Sequence, residues 1–252
     1  MNYDAFMEPV TWFLTGMEKH SESADERQYN NAAAFEGAMR YYSARFSYES
    51  LSVAMNELSN HDHSRFLTRT NRQVGRLHTV GAAKADEGVS KAVMKMAITM
   101  QMTWRGAPTI YYGDEVGVTG WTDPDNRRTY PWGNEDKDIF AYYKAMIAIH
   151  KKYKAIATGS LDYLYLDYGL ICCGRWNNEE KLAVIVNNND CVRTVEVPVW
   201  RMEMLNGASM YKIIESSQDG YKQDNTPYTT RSGNVVVEVA PKSAIVLANI
   251  IK

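Results

Sequence analysis

A run of polar residues at positions 60–65, Asn-His-Asp-His-Ser-Arg, follows an apolar segment and has side chains that could do chemistry. The Asp62 carboxylate can accept hydrogen bonds from paired hydroxyls, and the His61 imidazole can donate one, as recognition of a sugar requires. The alternative is that Asp62 or Ser64 caps the next segment while both histidines lie in solvent. A metal site is disfavoured, because His61 and His63 would point away from Asp62 in extended chain.

A second polar cluster lies in the long loop GDEVGVTGWTDPDNRRTYPWG, residues 113–133. Long loops in compact domains are usually functional or disordered, and the two tryptophans of this loop argue against disorder. The segment 123–126 by itself would read as a turn. Acidic and basic residues that lie this close together make the loop a second candidate for ligand binding.

Both clusters follow apolar runs that read as buried strands, LSVAMNEL at residues 51–58 and APTIYYG at residues 107–113. Apolar residues at helical spacing predict helices in the segments 30–46, 84–104 and 136–153. Alternating strands and helices indicate a parallel sheet covered by helices, in which ligands lie beyond the carboxyl ends of the strands. Both polar clusters fall at that edge.

From about residue 160 onward the apolar residues alternate or bunch in β-branched strings, which predicts antiparallel strands. Seven candidate strands are separated by turns rich in asparagine and glycine. Strands spaced about ten residues apart indicate a sandwich. We therefore expect two domains, residues 1–157 of α/β character and residues 158–252 as a β-sandwich.

Composition excludes several classes of protein. The 28 basic and 30 acidic side chains nearly balance, so the sequence has no electrostatic footprint for nucleic acid or an anionic membrane surface. No run approaches the roughly 20 apolar residues of a membrane-spanning helix, and the first residues do not resemble a signal peptide. Three cysteines indicate neither a disulfide framework nor a zinc site. Seventeen tyrosines and six tryptophans suit the faces of neutral sugars as well as an ordinary core.

Three stretches together resemble one family. NELSNHDHSRF is similar to the fourth signature region of the α-amylase family, glycoside hydrolase family 13, in which a strand runs into Asn-His-Asp and an arginine follows. GAPTIYYGDEVGVTG resembles the strand-eight segment of that family. DPDNRRTYPWGNEDKDIFAYYKAMIAIHKKY resembles its neopullulanase, cyclomaltodextrinase and amylopullulanase branch. The resemblance implies an α/β plus all-β fold, with the last third of a (β/α)8 barrel over residues 1–157 followed by an antiparallel β-sandwich C-terminal domain.

The resemblance also implies roles for residues that match the family's motifs. Asp62 would be the third invariant carboxylate, which holds sugar hydroxyls and helps to distort the ring at the cleavage site. His61 would hydrogen-bond the same sugar more strongly in the transition state. Asp123 and Arg127 would grip the neighbouring sugar on the non-reducing side.

Three further residues complete the predicted substrate-binding set, namely Asn60, Arg65 and Trp121, with Arg65 also expected to organise its loop. The partner implied is an α-glucan oligosaccharide or polysaccharide. No cofactor and no metal ligand are expected in this sequence, and a need for calcium stays open because the family's usual calcium ligands lie in segments that it does not match.

One departure from the family limits these expectations. A retaining glycosidase needs a nucleophilic carboxylate and a general acid/base about 5 Å apart, and in the family both precede the Asn-His-Asp segment. Residues 1–55 contain neither pattern. We therefore expect a C-terminal fragment of a retaining hydrolase of α-1,4 glucosidic bonds in starch, pullulan or cyclodextrins, with α-1,6 bonds left open, which is inactive by itself.

Two alternatives to the hydrolase fragment stay open on the sequence. One is a non-catalytic maltooligosaccharide-binding or scaffold module, and the other is a truncated chain without a function of its own. Strand edges at residues 51–58 and 107–113 would be exposed in a partial barrel, which predicts self-association through them. The cellular location is also open, because relatives of this kind work both inside and outside cells.

Overall fold

The computed structural model describes residues 1–252, with helices and two very short strands before residue 159 and mostly strands after it. The helices are α1 Glu8–Thr15, α2 Ala32–Ser43, α3 Tyr48–Ser52, α4 Phe66–Arg69, α5 Leu77–Val80, α6 Lys91–Thr103, α7 Lys137–Lys152 and α8 Lys154–Thr158. A π-helical turn, Tyr3–Met7, leads into α1, and short 3₁₀ turns lie at Ala82–Ala85, Asp114–Val116, Asp125–Arg127 and Val199–Met202. None of the helices is both long and apolar enough to cross a membrane.

The three long helices confirm the predicted segments, and capping side chains fix where they begin. Asn31, Ser90 and Asp136 each accept hydrogen bonds from backbone N–H groups in the first turn of α2, α6 and α7, respectively. A cap of this kind contributes about 1 kcal/mol. The cap at Ser90 explains why α6 begins at Lys91, later than the predicted residue 84.

The predicted parallel strand pair is present but short. β1, Met55–Asn56, and β2, Ala107–Pro108, pair in parallel. The predicted lengths of these strands are wrong, because residues 48–52 form α3 just before β1. β2 ends at Pro108, and the carbonyl of the next residue, Thr109, accepts a hydrogen bond from the side-chain amide of Gln101 at 2.9 Å. The two polar loops nevertheless follow the carboxyl ends of neighbouring parallel strands.

The C-terminal part is β-rich and antiparallel, as predicted. Its strands are β3 Ser160–Asp167, β4 Leu170–Trp176, β5 Lys181–Asn187, β6 Arg193–Val197, β7 Ser209–Ser217, β8 Gly220–Lys222, β9 Thr226–Thr229, β10 Val235–Val239 and β11 Ser243–Ala248. A seven-stranded sheet has the order β3-β4-β5-β11-β7-β8, with β9 also paired to β7, and a second sheet consists of β6 and β10. β8 and β9 escape the sequence prediction because they are short and mostly polar.

The seven-stranded sheet is covered on both faces. Alternate residues of a strand point to opposite faces, so that Val184 and Val246 join the apolar core of the helices. Ile185, on the opposite face, packs with Val237 of the smaller sheet. One apolar core therefore extends from the helices into the sheet, and a second core lies between the two sheets.

A buried charge also connects helices and strands. Lys95 of α6 is completely buried, and its Nζ donates to the carbonyls of Ser217 at 2.9 Å and Gly220 at 3.2 Å. The same ammonium group forms an ion pair with Asp138 of α7 at 2.6 Å. The hairpin of β7 and β8 is thereby fastened to α6 and α7.

Candidate functional site

The two polar clusters of the sequence meet beyond the ends of β1 and β2. The side-chain amide of Asn126 donates to the carbonyls of Asn60 at 3.0 Å and His63 at 2.7 Å. The Nε of Arg127 donates to the carbonyl of His61 at 3.1 Å. Residues 59–65, after β1, and residues 113–128, after β2, therefore form one surface, which we call the joined loops.

The main chain of Asp62 is fixed from two sides. Its carbonyl accepts hydrogen bonds from the Thr122 hydroxyl and from the Asp123 N–H, the latter at 3.4 Å. Its N–H donates to Oδ1 of Asn60 at 2.9 Å. The carboxylate of Asp62 projects from this fixed main chain into solvent.

Four side chains of the joined loops are about half exposed: His61 (54%), Asp62 (53%), Asp123 (47%) and Arg127 (47%). Nε2 of His61 lies 3.4 Å from Oδ1 of Asp62, and Nε of Arg127 lies 2.9 Å from Oδ1 of Asp123. Carboxylates accept hydrogen bonds, whereas imidazole and guanidinium groups donate them. The structure thus brings four predicted residues onto one face that offers acceptors and donors side by side to a hydroxyl-rich ligand.

Asn60 lies beneath this face. Its side chain is buried, donates to Oε1 of Glu57 at 2.9 Å and to the Tyr3 hydroxyl at 3.1 Å, and accepts from the N–H groups of Asp62 and His63. All the polar atoms of the amide are therefore occupied by the protein. The predicted direct contact of Asn60 with a substrate is corrected to a positioning role for the Asp62 main chain.

Glu57 is a further carboxyl group that no motif in the sequence marks, because it lies within the apolar run 51–58. Only 3% of its surface is exposed, and burial raises its pKa, while the hydrogen bond from Asn60 acts in the opposite direction. Because Asn60 contacts both Glu57 and the Asp62 N–H, this buried carboxyl group supports the exposed one through a single amide. The sequence feature that could have identified Glu57 is the presence of an acidic residue inside a predicted buried strand.

Arg65 is completely buried and connects three backbone segments. Its guanidinium donates to the Asn126 carbonyl at 2.7 Å, to the Tyr112 carbonyl at 2.6 Å and to Oδ1 of Asp114 at 3.0 Å. It also lies over the ring of Tyr111, 4.0 Å from the ring centroid. The organising role predicted for Arg65 agrees with these contacts, but its predicted direct contact with a substrate does not, because no surface of the side chain is accessible.

Trp121 is also completely buried, contrary to the predicted contact with a substrate. Its Nε1 donates to the Gly81 carbonyl at 3.0 Å, and its main-chain N–H donates to Oδ2 of Asp125 at 2.8 Å. The ring packs against Gly75, where an added Cβ would lie 3.2 Å from the indole. Trp121 therefore anchors the loop after β2 from below.

The two histidines of the first cluster have different environments. His61 is exposed, whereas His63 is buried with its ring edge-on to those of Tyr3 (centroids 4.9 Å apart) and His20 (4.7 Å). Burial, reinforced by the positive charge of Arg69, lowers the pKa of His63 to about 3, which keeps it neutral at ordinary pH. No group of three or more acidic, histidine or cysteine side chains is placed to hold a metal ion.

Neither Asp62 nor Ser64 caps a helix, which was the alternative explanation for the first cluster. The helix that follows, α4, has no side-chain cap from Arg65, and the Ser59 hydroxyl instead accepts a hydrogen bond from the Phe66 N–H at 2.9 Å. The Ser64 hydroxyl donates to the Lys19 carbonyl at 2.9 Å. The Asp62 carboxylate therefore makes no capping contact, and its neighbour is the exposed His61 imidazole.

Comparison with known proteins gives a family and a fold. The alpha-amylase family profile, described as alpha amylase, catalytic domain, matches residues 8–159. The Amylopullulanase of Thermoanaerobacter thermohydrosulfuricus is 30% identical over 203 residues, which cover 77% of this chain and 13% of the relative. The Cyclomaltodextrinase of Thermoanaerobacter pseudethanolicus is 33% identical over 181 residues, which cover 70% of this chain and 28% of the relative. The chain thus spans less than a third of the length of these two relatives.

Solved structures agree over nearly the whole chain. The debranching enzyme from Nostoc punctiforme superposes with a TM-score of 0.73 at 24% identity, covering 98% of this chain and 47% of that one. Ttha1563 from Thermus thermophilus superposes with a TM-score of 0.74 at 20% identity, covering 99% and 48%. At these identities the likeness concerns the fold.

Proposed function

The chain belongs to the α-amylase family, and from this premise we propose that the joined loops form the sugar-holding side of the active site of an α-glucan hydrolase. The relatives are named Amylopullulanase, Cyclomaltodextrinase and Neopullulanase 2. The proposed substrate is accordingly an α-1,4-linked glucan such as starch, pullulan or a cyclodextrin. The observation that carries the proposal is the single exposed face formed by His61, Asp62, Asp123 and Arg127.

Asp62 and His61 are proposed to hold one sugar. The Asp62 carboxylate would accept hydrogen bonds from two neighbouring hydroxyls, and the imidazole, 3.4 Å away, would donate to the same ring. As the ring distorts toward an oxocarbenium-like transition state, its hydroxyl contacts strengthen, so these bonds lower the barrier as well as the dissociation constant.

Asp123 and Arg127 are proposed to hold the next sugar. Nε of Arg127 lies 2.9 Å from Oδ1 of Asp123 and also donates to the His61 carbonyl, so the guanidinium is held relative to the first sugar position while its two Nη groups face the ligand. The spacing between the two sugar positions is therefore set by protein contacts that exist before the ligand arrives. Such preorganisation lowers the entropic cost of binding.

Hydrolysis is not proposed for this chain by itself. A retaining reaction needs two carboxyl groups about 5 Å apart at the reacting bond. Asp123 is paired with Arg127, and Glu57 is buried beneath Asn60, which leaves Asp62 as the available carboxylate on the face. One carboxylate cannot serve as both nucleophile and general acid/base.

We further propose that residues 1–157 correspond to the last third of a (β/α)8 barrel and residues 158–252 to the C-terminal domain. Parallel pairing of β1 and β2, and the hydrogen bond from the Asn2 N–H to the Met55 carbonyl at 2.9 Å, support this arrangement. Val53 (71% exposed) and Met55 (40%) leave an apolar edge beside β1, which favours self-association through these strands. Sedimentation as a monomer across a wide concentration range would contradict that association.

Binding of maltoheptaose, measured by isothermal titration calorimetry, tests the proposed site. Asp62→Asn and Arg127→Gln should each weaken binding by about tenfold, since a hydrogen bond to a charged group is worth roughly 1.5–3 kcal/mol. Arg193→Gln is the matched control, because Arg193 is also a solvent-accessible arginine (26% exposed) paired with an aspartate but lies on the β6 strand. Unchanged affinity in both site variants would refute the proposed sugar contacts.

A starch hydrolysis assay on the isolated chain tests the second part of the proposal. We expect reducing-sugar release at the level of a blank, with maltoheptaose binding retained. Turnover that is abolished by Asp62→Ala would show that the chain carries its own reacting carboxyl groups. That result would overturn the proposal that this chain holds the sugar without hydrolysing it.

A further inference from the structure

Two aromatic side chains further along the loop after β2 are accessible to ligands and take no part in the site described above. Tyr130 and Trp132 have ring centroids 4.4 Å apart with a 45° angle between the ring planes. Trp132 is 79% exposed, the highest value among the large apolar side chains of the molecule. Its ring therefore presents most of its surface to solvent beside a second ring.

The main chain beneath this pair is held by local hydrogen bonds. The Trp132 N–H donates to the Tyr130 carbonyl at 3.0 Å, and the Asn134 N–H donates to the Pro131 carbonyl at 2.8 Å. The Gly133 N–H donates to Oε1 of Glu135 at 3.0 Å. An exposed ring on a fixed main chain loses little conformational freedom when a ligand covers it.

The surroundings of the pair are polar. Loss of hydration raises the pKa of Tyr130, and the nearby carboxylates of Glu115 and Glu135 raise it further. The Tyr130 hydroxyl is therefore protonated and can donate a hydrogen bond at ordinary pH. Flat apolar rings bordered by hydrogen-bond acceptors match a sugar, which has apolar ring faces and hydroxyls at its edge. A protein-docking surface would instead need a contiguous apolar patch of several hundred Å², whereas the residues after Trp132 are Gly133, Asn134 and Glu135.

The pair also follows the joined loops closely along the chain. The Tyr112 hydroxyl donates to the Arg128 carbonyl at 2.8 Å, and the Arg128 guanidinium pairs with Asp125 at 2.9 Å. Trp132 is five residues from Arg127, so even a fully extended chain would keep their Cα atoms within roughly 18 Å. An oligosaccharide that lies on the joined loops can therefore extend toward the pair.

We propose that Tyr130 and Trp132 form a second contact for α-glucan, on which sugar rings of a longer oligosaccharide stack beyond the position held by Asp123 and Arg127. This inference rests on the proposed function, since it takes the ligand to be the same glucan. It adds a length dependence: long oligosaccharides reach both contacts, and short ones reach only the joined loops.

The test compares maltotriose with maltoheptaose in calorimetric titrations of the whole chain. Trp132→Ala should weaken maltoheptaose binding roughly three- to tenfold, on the scale of aromatic pair contacts, and leave maltotriose binding unchanged. Trp132→Phe, which keeps a flat ring, should restore most of the loss. Trp200→Ala is the matched control, because Trp200 is also an exposed tryptophan (61%) but lies in the C-terminal part. Both substitutions lie at exposed positions, so neither should impair folding, which circular dichroism verifies.

The outcomes separate the two proposals. If Asp123→Ala weakens binding and Trp132→Ala behaves as Trp200→Ala, the second contact is refuted and the joined loops stand. If the unaltered chain binds neither oligosaccharide, both proposals fall. If Trp132→Ala weakens both oligosaccharides equally, the length dependence is refuted. A Trp132→Ala variant that binds glucan normally but loses self-association in sedimentation would refute the sugar contact and assign the pair to a protein surface.

Discussion

Two regions of this molecule are built from opposite kinds of side chain. Arg65, Arg69 and Asp114 lie completely or almost completely buried beneath the joined loops and form directional contacts. The space between the two C-terminal sheets is filled by apolar side chains such as Ile185 and Val237. Directional contacts fix the positions of a few exposed side chains. Apolar packing supplies stability but does not orient any particular side chain.

The difference has an energetic consequence. A buried ion pair has a small net effect on stability, because its attraction is offset by the loss of hydration, yet removing one partner leaves an isolated buried charge. An apolar core side chain contributes through area and packing alone. The two regions should therefore respond differently to single and paired substitutions.

The largest expected effect is that of Arg65→Ala. Removal of the guanidinium leaves the Asp114 carboxylate buried without its partner and frees the carbonyls of Tyr112 and Asn126. The free energy of unfolding in urea should fall by about 3–5 kcal/mol. Glucan binding should be lost as well, since both loops lose their common anchor.

Replacing both partners of the buried ion pair separates its effect on stability from its effect on binding. Arg65→Leu combined with Asp114→Leu should recover much of the stability lost in Arg65→Ala, because no unpaired charge remains. Glucan binding should stay lost in this variant, since the apolar pair cannot hold the loop carbonyls. Ile185→Ala in the apolar region should cost about 2–5 kcal/mol and should leave the affinity for glucan unchanged. Recovery of both stability and binding in the double variant would contradict the organising role of Arg65.

An intermediate effect is expected from His63→Phe, through pH. His63 titrates near pH 6.5 in the unfolded chain but has a pKa of about 3 in the fold. The unfolded state therefore takes up a proton first as the pH falls, and stability is lost below pH 6.5 by up to about 1.4 kcal/mol per pH unit.

The variant without an imidazole should lose this acid sensitivity. Between pH 7.5 and pH 5, the unfolding free energy of His63→Phe should fall by about 2 kcal/mol less than that of the unaltered chain. The matched control is His78→Phe, whose histidine lies on the exposed α5. Equal pH dependence in all three proteins would show that His63 accepts a proton in the folded state.

The smallest effect on stability is expected from Arg127→Gln. Its side chain is about half exposed, and the ion pair with Asp123 is accessible to water, so the unfolding free energy should change by less than about 1 kcal/mol. The affinity for maltoheptaose should fall in the same variant, as proposed above. A large loss of stability would place Arg127 among the supporting residues rather than the exposed ones.

Sequence motifs identify the residues of the exposed face more readily than the residues that support them. Asp62, His61, Asp123 and Arg127 carry recognisable motifs, and their loops follow strands that are adjacent in a parallel sheet. Trp121 carries no signal of its burial, because its contacts come from Gly75 and Gly81, about forty residues earlier in the chain.

Local patterns also misjudge features that depend on distant contacts. The apolar run at residues 51–58 predicts a strand, but Ser47 caps a helical turn before it, and only two residues pair with β2. Glu57 looks like an interruption of that run until the hydrogen bond from Asn60 explains its position beneath Asp62. Trp132 is exposed within a hydrogen-bonded turn of the main chain, a position that its residue type does not predict.

The helices pack on one face of the seven-stranded sheet, and the small sheet packs on the other. Apolar contacts therefore connect the two parts of the chain through this sheet. Lys95 adds a buried connection across the same boundary. The joined loops and β11 should therefore belong to one cooperative unit, so that a glucan bound at the loops stabilises the whole unit by mass action. Amide protons of β11, far from any sugar, should then exchange with solvent more slowly when the ligand is present.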